Sequence, residues 1–491
     1  MRILLVSPSL KSMDVYQVRA RGCMPPLNLM YIASVLISGG HDVKILDLYA
    51  EGLSETELLR RAVEFRPDLA GFATYTASFD MAKAGARLLK DHIPGLTTVA
   101  GGIHSSYLPS ESLAGGDFDF AVVGEGERTM VELADALAAG KDPAGVAGLV
   151  YRKDGQAVST GPRPLIDDIG AIPWPAYGLV DLSHYQLGIT RATSTAPAAS
   201  VLTMRGCPYR CTFCSHHFGY DGRLRMRDPG DVVAEMKTLY DRHGVREFQF
   251  EDPSFTCAPR HVMEICRLIV ESGMKITWNC NVRANTSSDE LFAAMSAAGC
   301  RRALLGVESG SQELLDRMKK GISLEGVRRT VELAKKHGMR VNAAFILGTP
   351  GETLESARRT FEFAKELDPD YVMFSVYIPT PGGELFERLK TEGRLDLDEV
   401  YGADYVTVYS ERAPLVEMSD VPAEKLLSLM EDYTRGFYLR PSYVLKRLRT
   451  LALPGEVQRV LWGVALIFSH QARTLREKLA GRERHENNRT F

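Results

Sequence analysis

The sequence predicts an α/β protein in three parts: a doubly wound parallel sheet, a partial (β/α)6 barrel, and a mainly helical C-terminal region. Residues 1–140 alternate short apolar runs with amphipathic helical patterns at the spacing of βαβ units. Six further strand–helix units run from Ala199 to about Pro381. Such a series closes into a partial barrel whose chemistry sits at the carboxyl ends of the strands. From 382 to 491 helical patterns dominate. The expected division is therefore 1–140, a connector over 141–198, a barrel over 199–381 and a helical region over 382–491, ending in a polar, disordered tail.

Composition fits a large soluble enzyme. Of 491 residues, 45% are hydrophobic and 25% charged, ordinary globular values. A net charge of −3 gives no electrostatic case for nucleic acid. The start, MRILLVSPSLK, lacks a signal-peptide pattern, and no apolar run reaches the ~18 residues that span a bilayer. A cytoplasmic location is the expectation. Cys23, Cys257, Cys266, Cys280 and Cys300 are scattered and read as reduced, structural thiols.

In the first part the apolar runs are RILLVS (2–7), VKILDL (43–48), LAGFAT (69–74), TTVAGG (97–102) and FAVVGEGE (120–127). Helical patterns separate them, as in LNLMYIASVLISGG and MVELADALAAG, each followed by a glycine stop. A ligand of such a sheet lies beyond the strands' carboxyl ends, where Ser7, Thr74, Gly101, Gly102, Gly124, Glu125 and Gly126 fall. Glycines there let backbone approach a ligand, or serve only as tight turns. The connector is rich in Pro and Gly; its Trp174 and Tyr177 either cap an active site or pack between domains.

VLTMRGC (201–207) reads as the first barrel strand, leading into RGCPYRCTFCSHH. With 8 Cys in 491 residues, chance supplies about 0.002 such fixed-spacing triplets. Cys207, Cys211 and Cys214 could ligate three irons of a 4Fe–4S cluster and leave the fourth open. The alternatives are a zinc site completed by His216 or His217, or three unrelated buried cysteines.

The CxxxCxxC spacing, with aromatic Phe213 before the last cysteine, resembles the radical S-adenosylmethionine (SAM) superfamily. The resemblance implies that the open iron chelates SAM's methionine and that Phe213 touches the adenine. One electron would then cleave SAM to methionine and a 5′-deoxyadenosyl radical. PPLNLMYIASVLISGGHDVKILD, AGGIHSSYLPSE and FAVVGEGE resemble the Rossmann-like cobalamin-binding domain that precedes many radical SAM domains. The DxHxxG motif that places a histidine on cobalt is absent, as is normal in that class.

Further sites follow from the same resemblance. Of Glu251 and Asp252, after the second barrel strand, Asp252 is expected at the SAM ammonium. Glu308 and Ser309 are expected at the ribose, Ile346 and Gly348 at the adenine. Tyr377 lies at the mouth as a candidate catalytic group; Arg223, Arg225 and Arg227 could meet an anionic substrate or SAM's carboxylate, or be solvated. Near the C-terminus, VQRVLWGVALIFSH (457–470) follows the basic YVLKRLRTLAL, which suits a membrane surface, a lipid-like substrate, or packing over the barrel mouth or at a dimer interface.

The implied function is a cobalamin-dependent radical SAM enzyme that methylates an unactivated carbon of a small organic or lipid-like metabolite. Its cofactors would be a 4Fe–4S cluster, SAM and cobalamin, with electrons from a flavodoxin or ferredoxin. The runner-up is an oxidative cyclase or hydroxylating enzyme resembling the anaerobic Mg-protoporphyrin monomethyl ester cyclase, which shares a segment like MEDYTRGFYLRPSYVL. A non-catalytic cobalamin or SAM sensor is the third reading, and a tRNA methylthiotransferase is disfavoured by the lack of a second three-cysteine set.

Overall fold

A computed structural model describes residues 1–9, 22–188, 197–215, 222–395 and 416–450. The first sheet contains β1 (Arg2–Ser7), β2 (Asp42–Asp47), β3 (Leu69–Ala73), β4 (Thr97–Gly101), β5 (Phe120–Val122), β6 (Leu149–Lys153) and β7 (Gln156–Ser159). Their order is β2-β1-β3-β4-β5-β6-β7. The first five strands are parallel, and β6 and β7 are antiparallel.

The apolar runs form strands because both faces are covered. On β1, Ile3 and Leu5 join a core with α1 (Leu27–Ser38). Leu4 and Val6 point the other way, into a core with α2 (Glu55–Phe65) and α3 (Phe79–His92). A fourth helix, α4 (Gly126–Ala138), adds Met130 and Leu133 to the α1 side. The strand order reverses between β1 and β3, which opens a crevice at their carboxyl ends.

The sheet runs past the expected boundary at residue 140. Hairpin β6–β7 extends it, turning through Asp154 (φ 52) and Gly155 (φ 82), the left-handed pair of a tight hairpin turn. Residues that sequence assigned to a connector thus complete the first sheet.

The second sheet is an open run of six parallel strands in chain order, as expected for a partial barrel. They are β8 (Ala198–Val201), β9 (Glu247–Phe250), β10 (Thr277–Val282), β11 (Cys300–Glu308), β12 (Arg340–Leu347) and β13 (Tyr371–Val376). Helices α5 (Pro229–His243), α6 (Pro259–Glu271), α7 (Asp289–Ala297), α8 (Leu324–Lys336) and α9 (Leu354–Leu367) lie in the crossovers. Helix α5 starts where the Asp228 side chain accepts from the Asp231 amide and stops at left-handed Gly244. Along β12, Val341, Ala343, Phe345 and Leu347 are buried, while Arg340, Asn342, Ala344 and Ile346 alternate with them and are only half-buried.

One strand is shorter than expected. The first barrel strand ends at Val201 and does not reach Cys207. The buried Asp252 carboxylate captures the chain beyond it, accepting from the amides of Thr203 (2.9 Å) and Met204 (2.6 Å). Met204–Arg205 then pairs with Arg225–Met226 in a separate antiparallel ribbon.

Two C-terminal helices, α10 (Ala423–Tyr438) and α11 (Pro441–Thr450), flank the last strand. Tyr433 stacks on Phe361 of α9 at 4.6 Å, Tyr438 Oη donates to Val372 O, and Tyr443 Oη donates to Asp370 O. Leu426 of α10 packs against Gly348 at the end of β12. The apolar segment 457–470 and the tail lie outside the described residues.

Candidate active site

At the carboxyl edge of the second sheet, Cys211 is buried and Cys207 and Cys214 are half-buried on one loop. The loop is pinned at both sides: the Thr212 amide donates to Met318 O (3.0 Å) and Thr212 O accepts from the Leu385 amide (3.3 Å). Arg283, just past β10, lies 3.6 Å over the Tyr209 ring, and its Nη1 donates to Cys211 Sγ at 3.8 Å. Lys320 Nζ sits 5.6 Å from the Phe213 ring centre and pairs with Glu308. Burial pushes the Cys207 thiol up, and the Tyr209 amide with the Arg283 and Lys320 charges offsets that only in part. His216 and His217 lie outside the described residues.

Among the described residues no three His, Cys, Asp or Glu side chains stand converged as a ready ligand set. The donor chemistry nevertheless fits an iron–sulfur cluster: three thiols on one loop, with buried cations beside them that suit an anionic group.

The expected SAM contacts divide. Glu308 is present at the strand end with φ 67, unusual for a residue with a side chain, at a register shift in β11. Its carboxylate faces Lys320; a Cβ on Gly306 would come within 2.9 Å of Lys320 Nζ, so glycine leaves room for this pair. Ile346 lies on the half-buried face of β12. Gly348 is left-handed (φ 84), and its amide bonds the buried Glu352 carboxylate, whose pKa burial pushes up to about 7.

Two contacts are corrected. Asp252 is fully buried, and burial pushes its pKa up to about 7. Its oxygens already accept from the Thr203 amide and hydroxyl and the Met204 amide, so it is spent on holding the chain below the cysteine loop. Glu251, its neighbour, is half-buried and accepts from Ser200 Oγ and Gln249 Nε2. Ser309 is buried against α9, paired with Thr360 Oγ1 (3.2 Å) and accepting from the Ser311 amide. Tyr377 is buried beside Cys214; its hydroxyl finds no partner among the described residues, and burial and the Cys214 charge raise its pKa.

The edge of the first sheet is made of small residues. Gly102 adopts φ 124 and ψ −169, a region open essentially to glycine, and a Cβ there would lie 2.7 Å from Thr74 O. Gly124 is left-handed with open space around it, and Gly101 is nearly as free. Ser7 bonds the Asp47 carboxylate. Thr74 is buried, its hydroxyl shared between Gly101 O and Ser105 Oγ, so it shapes the edge from beneath. Gly126 lets α4 approach Ile32. His104 is buried too, stacked on Phe79 at 4.0 Å with Nδ1 against Thr76 Oγ1; burial pushes its pKa down to about 4.

Glu125, expected at a ligand, instead ties the two units together. It accepts from Arg205 Nη1 (3.0 Å), Arg225 Nη1 (2.8 Å) and the Ile166 amide (2.7 Å), while Arg205 also reaches Glu127. Burial pushes the Glu125 carboxyl up, but Arg225, Ile166 and Arg205 together hold it below the usual range. Of the arginines, Arg225 is committed to Glu125 and Arg227 to Glu235 and Asp231, whereas Arg223 is solvated at the surface beside Asp167, the second of the two readings. Tyr177 and Trp174 pack between the units, donating to Glu235 and Asp231 of α5. A further pin is Tyr107, whose hydroxyl donates to Ser215 O at 2.7 Å and whose ring fills the space a Cβ on Gly382 would need. These pins set the cysteine loop against the carboxyl edge of the first sheet.

The B12 binding domain family matches residues 13–134, and the radical SAM superfamily matches residues 201–364. The uncharacterized methyltransferase PH0819 of Pyrococcus horikoshii is 33% identical over 447 residues, covering 91% of this chain and 94% of the relative. The anaerobic magnesium-protoporphyrin IX monomethyl ester cyclase of Rubrivivax gelatinosus is 28% identical over 453 residues, covering 90% of this chain and 78% of the relative. In fold, the chain is similar to the radical SAM methyltransferase TsrM from Kitasatospora setae, solved with cobalamin and a [4Fe-4S] cluster bound. That likeness has a TM-score of 0.65 at 24% identity and covers 79% of this chain and 75% of the other. With both domain families in this order and a methyltransferase relative matched along most of its length, the chain belongs to the cobalamin-binding radical SAM enzymes, which use a 4Fe–4S cluster, SAM and cobalamin.

Proposed function

We propose that this enzyme methylates an unactivated carbon of a small organic or lipid-like molecule. The observation that carries the reading is the pinning of the two carboxyl edges by Glu125, Glu127, Arg205, Arg225, Tyr107 and Ser215. Groups held at both edges then share one space with the substrate, and proximity of this kind removes much of an encounter's entropic barrier. When bound, the cluster and SAM supply a radical and cobalamin supplies a methyl group.

The chain's own residues take these roles. Cys207, Cys211 and Cys214 hold the cluster. Phe213, Ile346 and Gly348 line the adenine, and Glu308 accepts from the ribose hydroxyls once Lys320 yields. Glu251 replaces Asp252 as the partner of the SAM ammonium, because its carboxylate is only half-buried and Asp252's is consumed. Gly101, Gly102, Gly124 and Ser7 let a broad, flat cofactor rest on backbone. Tyr377 offers the substrate side of the site a hydroxyl with no partner among the described residues. A flavodoxin- or ferredoxin-type protein delivers the electron.

A lipid-like substrate or a membrane-surface contact is supported by exposed Leu439, which caps α10, and exposed Val444 and Leu445 on α11. No helix among the described residues is long and apolar enough to cross a membrane.

The test uses SAM with a deuterated methyl group, incubated anaerobically with a low-potential reductant and candidate lipids and terpenoids. Methylation requires a product retaining the deuterated methyl, with both S-adenosylhomocysteine and 5′-deoxyadenosine formed. The cyclase relative favours a second reading, oxidative cyclisation or hydroxylation, which yields 5′-deoxyadenosine with no methyl in the product. Absence of both adenosine products under reducing conditions would leave only a sensor.

A further inference from the structure

We infer that Arg283 sets the reduction potential of the iron–sulfur cluster, an inference that rests on reading Cys207, Cys211 and Cys214 as its ligands. Arg283 is 7% exposed, yet it has no carboxylate partner among the described residues. Burying a guanidinium without an anion is costly, so a group that repays the burial is expected beside it. The side chain is also held still. Its face lies 3.6 Å from the Tyr209 ring centre, inside the cysteine loop, and its Nη1 donates to Cys211 Sγ at 3.8 Å.

Behind it the backbone is locked. The Arg283 amide donates to Thr256 Oγ1, and its carbonyl accepts from Thr286 and Ser287. A Cβ on left-handed Gly321 would lie 3.6 Å from Nη2, so the turn after Lys320 passes close to the guanidinium. Two donors, Nε and Nη2, are buried and find no partner among the described residues.

Cluster potentials depend on net charge and on hydrogen bonds to the sulfurs. The step concerned is a one-electron reduction, with the electron drawn from an external low-potential reductant. No bond is made or broken and no proton moves. Reduction adds a negative charge, and a rigid buried cation touching a ligand sulfur stabilises the added charge. Arg283 is therefore a positioning residue that raises the potential; Tyr209 is the platform that fixes its plane.

The full chain, reconstituted anaerobically, would be titrated with dithionite and viologen mediators while the reduced cluster is quantified by EPR and iron is assayed. Arg283→Gln should hold as much iron as wild type. At the poise where wild type is half reduced, its reduced-to-oxidised ratio should be at least tenfold lower, about 59 mV for one electron. Arg283→Lys keeps the charge and should stay within about threefold of wild type, a shift under the 59 mV that a tenfold change represents.

An iron-loaded Arg283→Gln with the wild-type potential overturns the inference. If that variant holds no iron, Arg283→Lys decides: a near-wild-type potential supports the inference, and a full negative shift overturns it. Iron lost from both variants overturns it in favour of a purely structural role. The underlying reading fails separately, if Cys207→Ala/Cys211→Ala/Cys214→Ala keeps its iron.

Discussion

The two carboxyl edges of this enzyme are built from opposite materials. At the first sheet, glycines and small hydroxyls come forward, and nearby charges turn inward: Asp47 accepts from Tyr185 and Ser7, and Glu125 and Glu127 are spent on Arg205 and Arg225. At the barrel, charged groups come forward, with Arg283 and Lys320 beside the thiols and Glu308 and Glu251 at neighbouring strand ends. A broad cofactor is best met by shape, through backbone approached closely; a small charged ligand is best met by fixed charges in a dry site. One α/β plan thus serves two kinds of ligand through where its loops send their charges.

The largest effect is expected at the thiols. Cys207→Ala/Cys211→Ala/Cys214→Ala should lose the roughly four irons expected of one cluster, and with them all 5′-deoxyadenosine. Corrin absorbance should persist, because the first edge shares none of those ligands. Next comes the joint between the edges. Arg205→Met leaves Glu127 buried without its partner and should cost about 3–5 kcal/mol in urea unfolding, as broken buried ion pairs do.

Gly102→Val attacks the first edge alone. It forces a side chain into glycine's backbone region and against Thr74 O, a strain of about 1–3 kcal/mol. Cobalt content should fall while cluster iron stays at the wild-type level. Equal loss of both would mean the edges are not independent.

The smallest effect concerns pH. Asp252 has a folded pKa of about 7 against an ordinary 3.8, so the folded state binds a proton that the unfolded state has released. The native state therefore weakens as pH rises from about 4 through 7. Asp252→Asn removes this titration and keeps an acceptor for the Thr203 and Met204 amides. Its urea midpoint should gain on wild type between pH 5 and pH 7.5, to be read from paired unfolding curves. Parallel curves would contradict the assignment.

Much of this architecture was legible in the sequence. The first sheet carries unbroken apolar runs because helices cover both of its faces, and the strand ends of β1 and β3 match their runs closely. The β6–β7 hairpin was missed, although Asp154–Gly155 between alternating residues is its signal. The spacing marks the three cysteines as candidate ligands, and the resemblance rather than the spacing singles out a cluster. Asp252 was misassigned because neighbours at a strand end face opposite ways, and only the strand's exit decides which carboxylate is buried. Arg283 and Lys320 were not legible as a pair, since they lie after different strands and meet only through the barrel. Glu125 sat in the right motif, but a motif does not state which side of a turn its charge takes.

The claim that the two edges face each other across one site is tested most directly by EPR of protein carrying both cob(II)alamin and the reduced cluster. Facing edges predict that the cob(II)alamin lines are split or broadened by the second spin, and that they sharpen in Cys207→Ala/Cys211→Ala/Cys214→Ala. Cob(II)alamin lines identical with and without the cluster would contradict it.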